Sequence, residues 1–220
     1  MTTTILANLF HVFLVEDDEG LNKDLKSLIE IEVPRCKVTS ALCINEAFEK
    51  LDRPELPAID LALLDLRLPE TPGATKIIHP RLSNRMKDLG VPSILMTSHV
   101  GSEDVDAFIK GRKLHDPPLK VISKRQMDVF VDLVLDTIRE FFVRKSSDAV
   151  SRQLAEVFGA GGRSGGYRSS TAELISLQRK IIDYWQYLSP EVRDEVRGRF
   201  SVTENSDDSC SLSMIPAGPR

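Results

Sequence analysis

The chain has 220 residues, 41% of them apolar, enough to bury a sizeable core and to fill one large domain or a domain with an extension. A formal charge of −4 with mixed signs gives no electrostatic reason to expect nucleic acid or an anionic membrane, and no window approaches the roughly 20 apolar residues that span a bilayer. Three cysteines, Cys36, Cys43 and Cys210, have no paired spacing, and residues 1–4 begin neither a charged nor a long apolar leader, so the sequence predicts a reduced, cytoplasmic protein.

Between residues 9 and 144, short apolar runs alternate with longer helical patterns, which predicts an α/β unit on a doubly wound parallel sheet. Residues 9–15 form a near-continuous apolar run suited to a strand buried on both faces, and Leu21, Leu25, Leu28 and Ile29 follow at helical spacing. Residues 37–40 read as a second strand, and Asn45 offers a cap for a helix over 46–51. Residues 59–64 are the third strand; after Pro69, Pro72 and Gly73 comes a helix carrying Ile78, Leu82, Met86 and Leu89, with Pro80 inside it as a predicted kink. Residues 93–96 are the fourth strand, and Ser102 is placed to cap a helix through Val105, Phe108 and Ile109. Residues 119–123 are the fifth strand, before an amphipathic helix with Met127, Phe130, Val131, Val134, Leu135, Ile138 and Phe141 that closes the unit.

The character changes at 145. A helical extension is predicted over 145–200, interrupted by a linker at 159–170 that holds five of the twelve glycines. On its far side, 171–188 places Leu174, Leu177, Ile181, Ile182 and Trp185 on one side of a helix, and 190–200 is helical again. Residues 201–220, rich in Ser, Asp, Asn and Pro, are predicted to be a disordered tail. From Ser146 onward nine basic residues face ten acidic ones, and no short turn joins two compact helices, so binding to DNA is not expected. Pairing into a homodimer and docking of a downstream protein are the readings left for this region.

The polar residues at the strand ends carry the chemistry. Val15 runs into Glu16-Asp17-Asp18, Leu64 into Asp65, Met96 into Thr97-Ser98, and Ser123 into Lys124. In an open parallel sheet the carboxyl ends share one edge, so these residues converge on one crevice. Gathered carboxylates repel each other unless a cation joins them, and Mg2+ typically takes one or two carboxylates together with phosphate oxygens. Asp17 and Asp65 are the candidate direct ligands, with Glu16 acting through water and a pairing of Asp17 with Asp18 as the alternative. A bound cation would lower repulsion as Asp65 attacks phosphorus to form an aspartyl phosphate. Thr97 and Lys124 could then bind the phosphoryl oxygens and draw their loops inward. Asp18 and Glu19 suit the start of the first helix, and Cys36 and Cys43 read as core thiols.

These residues, with Pro69 four and Gly73 eight positions after Asp65, resemble the receiver domain of bacterial response regulators over about residues 9–144. The resemblance implies a five-stranded flavodoxin-like sheet of order 2-1-3-4-5, Asp65 as phosphoacceptor, and Mg2+ held by Glu16, Asp17, Asp65 and the backbone carbonyl of Arg67. It implies Thr97 and Lys124 as the phosphoryl-contacting switch, and a histidine kinase or phosphotransfer protein as phosphoryl donor. No dedicated enzyme activity is implied beyond self-catalysed transfer to Asp65 and autodephosphorylation. The sequence departs from the family at Arg125, where proline is usual, at Val121, where an aromatic is usual, and over a longer stretch at 114–118. His115 in that stretch reads as a surface histidine, with a swinging ring as the alternative. Two further functions stay open: a non-phosphorylated pseudo-receiver acting as an interaction scaffold, and a phosphatase-like hydrolase using Asp65, which Arg67 disfavours by breaking the DxD pattern of one such family.

Overall fold

Every residue of β1 (Phe10–Val15) is buried, as expected of a strand covered on both faces. The computed structural model of the chain describes residues 10–78, 80–111, 117, 119–158, 170–206 and 209–215. Leu9, His79, His115 and the glycine-rich linker up to residue 169 lie outside them. The chain divides into two compact units, Met1–Arg139 and Glu140–Arg220.

In the first unit, β1 pairs in parallel with β2 (Cys36–Ala41) and β3 (Leu61–Asp65), and β6 (Ser93–Thr97) joins β3 to β7 (Leu119–Ser123). Two short strands, β4 (Arg67–Leu68) and β5 (Ile77–Ile78), form a separate antiparallel ribbon. The sheet order β2-β1-β3-β6-β7 is the flavodoxin-like 2-1-3-4-5 order, so the unit is a doubly wound α/β fold. Side chains alternate between faces along each strand. Phe13, Val15, Leu64 and Leu95 pack in one cluster with Ile44 and Ala47 of α2 (Ile44–Leu51), Leu82 and Met86 of α3 (Pro80–Asp88) and Val105 of α4 (Glu103–Lys110). Val12, Leu14, Leu63 and Ile94 point the other way and are buried, as are Leu25 and Ile29 of α1 (Glu19–Glu32) and Phe130, Val134 and Ile138 of α5 (Met127–Phe158). An Arg139–Glu32 ion pair links α5 to α1, and Lys120 of β7 donates to Thr137 of α5 at 2.6 Å.

Three local expectations change. α2 begins at Ile44, not after Asn45, because the first-turn N–H groups of Ile44 and Asn45 donate to Pro69 O and Glu70 O, so the loop after β4 caps the helix instead of a side chain. Pro80 stands at the first position of α3 and does not kink it; its missing N–H is there no loss, and Ile78 belongs to β5. Ser102 precedes α4 but makes no side-chain cap bond.

The domain boundary expected at 144 lies inside α5, which runs without a break to Phe158, and the division falls at 139/140. In the second unit, the polar pair Ser146 and Ser147 is buried, and Ser147 Oγ accepts the N–H of Ser189 at 2.9 Å. α6 (Thr171–Tyr184) opens with a capping box between Ser170 and Glu173, ends in a 3-10 turn (Trp185–Tyr187), and is followed by α7 (Pro190–Arg197). Phe142 meets the rings of Tyr184 and Tyr187 edge-on, and Trp185 is buried with the guanidinium groups of Arg193 and Arg197 over its ring. The expected disordered tail at 201–220 is corrected over 201–204 and 210–214, and the helix expected over 190–200 ends at Arg197. Strands β8 (Phe200–Glu204) and β9 (Cys210–Met214) pair as an antiparallel hairpin that buries Phe200 against Phe158 and buries Cys210.

Candidate functional site

The strands of the first unit end in step. Val15 is level with Leu64, Asp65 with Met96, and Thr97 with Ser123, so the residues that follow them meet at one edge of the sheet. Glu16, Asp17 and Asp65 each place a carboxylate oxygen within 4.8 Å of the others. Lys124, one residue past β7, reaches the same point. Its Nζ donates to both carboxylate oxygens of Glu16 at 3.1 and 3.0 Å and to Asp65 Oδ2 at 2.6 Å, which uses all three ammonium protons. Its side chain is 11% exposed and that of Glu16 only 1%. Burial pushes Glu16 up to about 7, helped by the neighbouring Asp65 charge and opposed by Lys124. Burial alone would lower Lys124, but the charges of Asp65 and Glu16 outweigh it and its pKa is raised.

Backbone bonds set this edge. The Asn22 amide, buried on the apolar stripe of α1, donates to Glu16 O at 2.9 Å and Ala41 O at 3.0 Å, which holds the chain where it leaves β1. Asp18 accepts the N–H of Leu21 at 2.9 Å and caps α1, so it serves the helix start, and the three gathered carboxylates do not include it. Asp65 Oδ1 accepts the N–H of Arg67 at 3.2 Å. Thr97 is buried; its carbonyl accepts the N–H of Lys124 at 2.9 Å and its hydroxyl oxygen accepts the N–H of His99 at 3.0 Å. Glu16, Asp17, Asp65 and Lys124 are thus brought into one cluster, and Thr97 is tied to it through the backbone of Lys124.

Two residues of this edge escape a motif reading. Asn22 was legible in principle, as the one amide in register with Leu25 and Ile29 on a buried helix face. Lys76, in the loop before β5, had no signal at all, yet its Nζ lies 2.6 Å from Asp17 Oδ2. The other oxygen, Asp17 Oδ1, is buried and has no hydrogen-bond partner among the described residues. An orphaned carboxylate oxygen beside two further carboxylates is a hard, oxygen-only donor set of the kind Mg2+ prefers, so the residues fit a divalent cation.

Where the resemblance expects proline, Arg125 donates from Nε to Ser98 O at 3.1 Å and from a terminal nitrogen to Val100 O at 3.5 Å. Its guanidinium therefore joins the segment after β7 to the loop after β6.

No protein-family profile and no curated protein matches the chain. Among solved structures, the chain is similar to the phosphorylated cyanobacterial phytochrome response regulator RcpA, at 18% identity over 61% of this chain and 94% of that one, with a TM-score of 0.48. It is also similar to a response regulator receiver domain from Rhodospirillum rubrum, at 16% identity over 60% of this chain and 94% of that one, with a TM-score of 0.47. The response regulator domain of Thermotoga maritima CheB matches at 20% identity over 60% of this chain and 95% of that one, with a TM-score of 0.45. No helix among the described residues is long and apolar enough to cross a membrane.

Proposed function

We propose that the α/β unit is a phosphorylation-dependent switch of two-component signalling, with Asp65 as phosphoacceptor. One observation carries the reading: a lysine 59 residues after Asp65 donates to Asp65 and to Glu16 at once, while Asp17 beside them keeps a buried oxygen without a partner. Glu16, Asp17, Asp65 and the carbonyl of Arg67 would hold Mg2+, which when bound supplies positive charge between the acceptor carboxylate and an incoming phosphoryl group. With a phosphohistidine donor, Asp65 forms a new O–P bond as the P–N bond breaks and the electron pair leaves with the imidazole, and a histidine kinase or phosphotransfer protein would supply such a donor.

Once Asp65 carries the phosphoryl group, Lys124 must exchange its bond to the free carboxylate for one to a phosphoryl oxygen. The Thr97 hydroxyl has its own proton to donate, since its present bond uses only the oxygen. Thr97 closes β6 and Lys124 follows β7, so their new contacts bias the positions of the loops that continue from them, and the signal passes on through protein contacts. Incubating the protein with Mg2+ and a small phosphodonor and reading intact mass tests this. Gain of one phosphoryl group by the wild type and none by Asp65→Asn is the expected result; an equal gain by both proteins refutes it.

A second reading, an interaction scaffold that takes no phosphoryl group, is favoured by Arg125, whose bonds to Ser98 O and Val100 O restrain the loops that a switch has to move. It requires that no adduct forms under the same conditions.

A further inference from the structure

Lys124 spends its three protons on Glu16 and Asp65, so it leaves Asp17 without a counter-charge. That role falls to Lys76. Its side chain is 56% exposed, but its ammonium rests on an Asp17 side chain that is 11% exposed. At 2.6 Å the lysine ammonium is the nearest positive charge to Asp17 among the described residues. It immediately precedes β5, whose Ile77 and Ile78 pair with Leu68 and Arg67, so the ion pair fastens the returning strand of the ribbon to the end of β1.

We propose that Lys76 is a tethered cation that occupies Asp17 in the absence of a divalent ion and has to be displaced when one binds, which couples occupancy of the carboxylate cluster to release of the β4–β5 ribbon. The inference rests on reading the cluster as a cation site. An ammonium brings one charge and bonds one oxygen of Asp17, whereas the second oxygen stays orphaned. A divalent ion brings two charges and satisfies a donor set the lysine leaves incomplete. Release returns the half-exposed lysine to water, and the divalent ion replaces the positive charge that it takes from the largely buried Asp17. The same displacement removes an ionic tie between the segment leading into β5 and the residues that follow β1. Pro69 O and Glu70 O still hold the start of α2, so the loosened part is the segment after them, up to Ile78.

The test is a Mn2+ titration of the full chain, with free Mn2+ read by electron paramagnetic resonance, for wild type, Lys76→Met, Lys76→Arg and Asp17→Asn. Lys76→Met keeps the length of the stem and loses the charge, so it should bind Mn2+ about three- to tenfold more tightly, while Lys76→Arg stays within about twofold of wild type. Asp17→Asn should lose binding. Equal affinity in wild type and Lys76→Met overturns the tethered-cation inference and leaves the cation site standing. Absence of Mn2+ binding in both overturns the cation site itself. Hydrogen exchange supplies a second readout: adding Mn2+ to the wild type should speed exchange at amides 71–78, and Lys76→Met should exchange fast there without the ion. Slow exchange unchanged by the ion in both proteins overturns the coupling.

Discussion

Replacing Lys124 by Met removes the cation that holds two carboxylates together. Deleting one member of a buried ion pair costs about 3–5 kcal/mol when its partner stays charged, a large share of the roughly 5–15 kcal/mol of an ordinary domain. Glu16 limits the loss. Its pKa, pushed up to about 7 by burial and by Asp65, is held down by Lys124 in the native protein, so removing the lysine raises it further and the carboxyl takes up a proton near neutrality. The folded value lies above the ordinary value of 4.5, so the folded state holds the proton more tightly than the unfolded chain. Stability is therefore lost as pH rises between those two values, by about 3 kcal/mol in all, since a tenfold change in proton affinity is worth about 1.4 kcal/mol. Lys124→Met should accordingly cost about 3 kcal/mol near pH 8 and clearly less near pH 6, measured by urea unfolding in the presence of a chelator. Adding Glu16→Gln should recover most of the loss near pH 8, because the amide keeps the shape without the charge. A cost that is the same at both pH values, or a double variant no more stable than Lys124→Met, would refute this account of the charge balance.

His11 titrates with the opposite consequence. Burial holds it below the ordinary 6.5, while Nδ1 donates to Pro57 O and the Thr39 hydroxyl donates to Nε2, so its contribution is whole above pH 6.5 and is lost as pH falls through the folded value. The difference in urea midpoint between wild type and His11→Gln should shrink as pH drops below about 6.5; a constant difference counts against it. Asp18→Ala should cost about 1 kcal/mol as a lost helix cap and leave Mn2+ affinity unchanged, which would separate it from Asp17. Phe200→Ala should cost the second unit about 3–5 kcal/mol, followed by the fluorescence of Trp185, the chain's one tryptophan; a midpoint equal to wild type would show that the hairpin does not stabilise that unit.

Period and position carry most of the first unit in the sequence. The six buried residues of β1, the helical spacing of Leu25 and Ile29, and the polar residue closing each strand are local features, and a parallel sheet converts them into one edge. Elsewhere local composition misleads. Ser146-Ser147 looks like the end of a helix because serine competes for backbone bonds, but Ser147 finds its partner at Ser189, 42 residues away, and α5 continues. The tail shows the same conflict. Phe200 and Val202 on one strand and Cys210, Leu212 and Met214 on the other alternate with polar residues at the period of a strand, a pattern masked by Ser, Asp and Asn, and the hairpin exists because Phe158 covers Phe200.

From sequence alone come the five strands, their order through the resemblance, and the acids, hydroxyl and lysine at their ends, since each is written in a few consecutive residues. Tertiary structure alone decides which charge meets which: Lys124 divided between Glu16 and Asp65, Lys76 drawn from a featureless loop onto Asp17, and one oxygen of Asp17 left over. The reason is electrostatic. An ion pair depends on a separation of a few ångströms, and only the packed chain sets the distances between residues that are far apart in sequence.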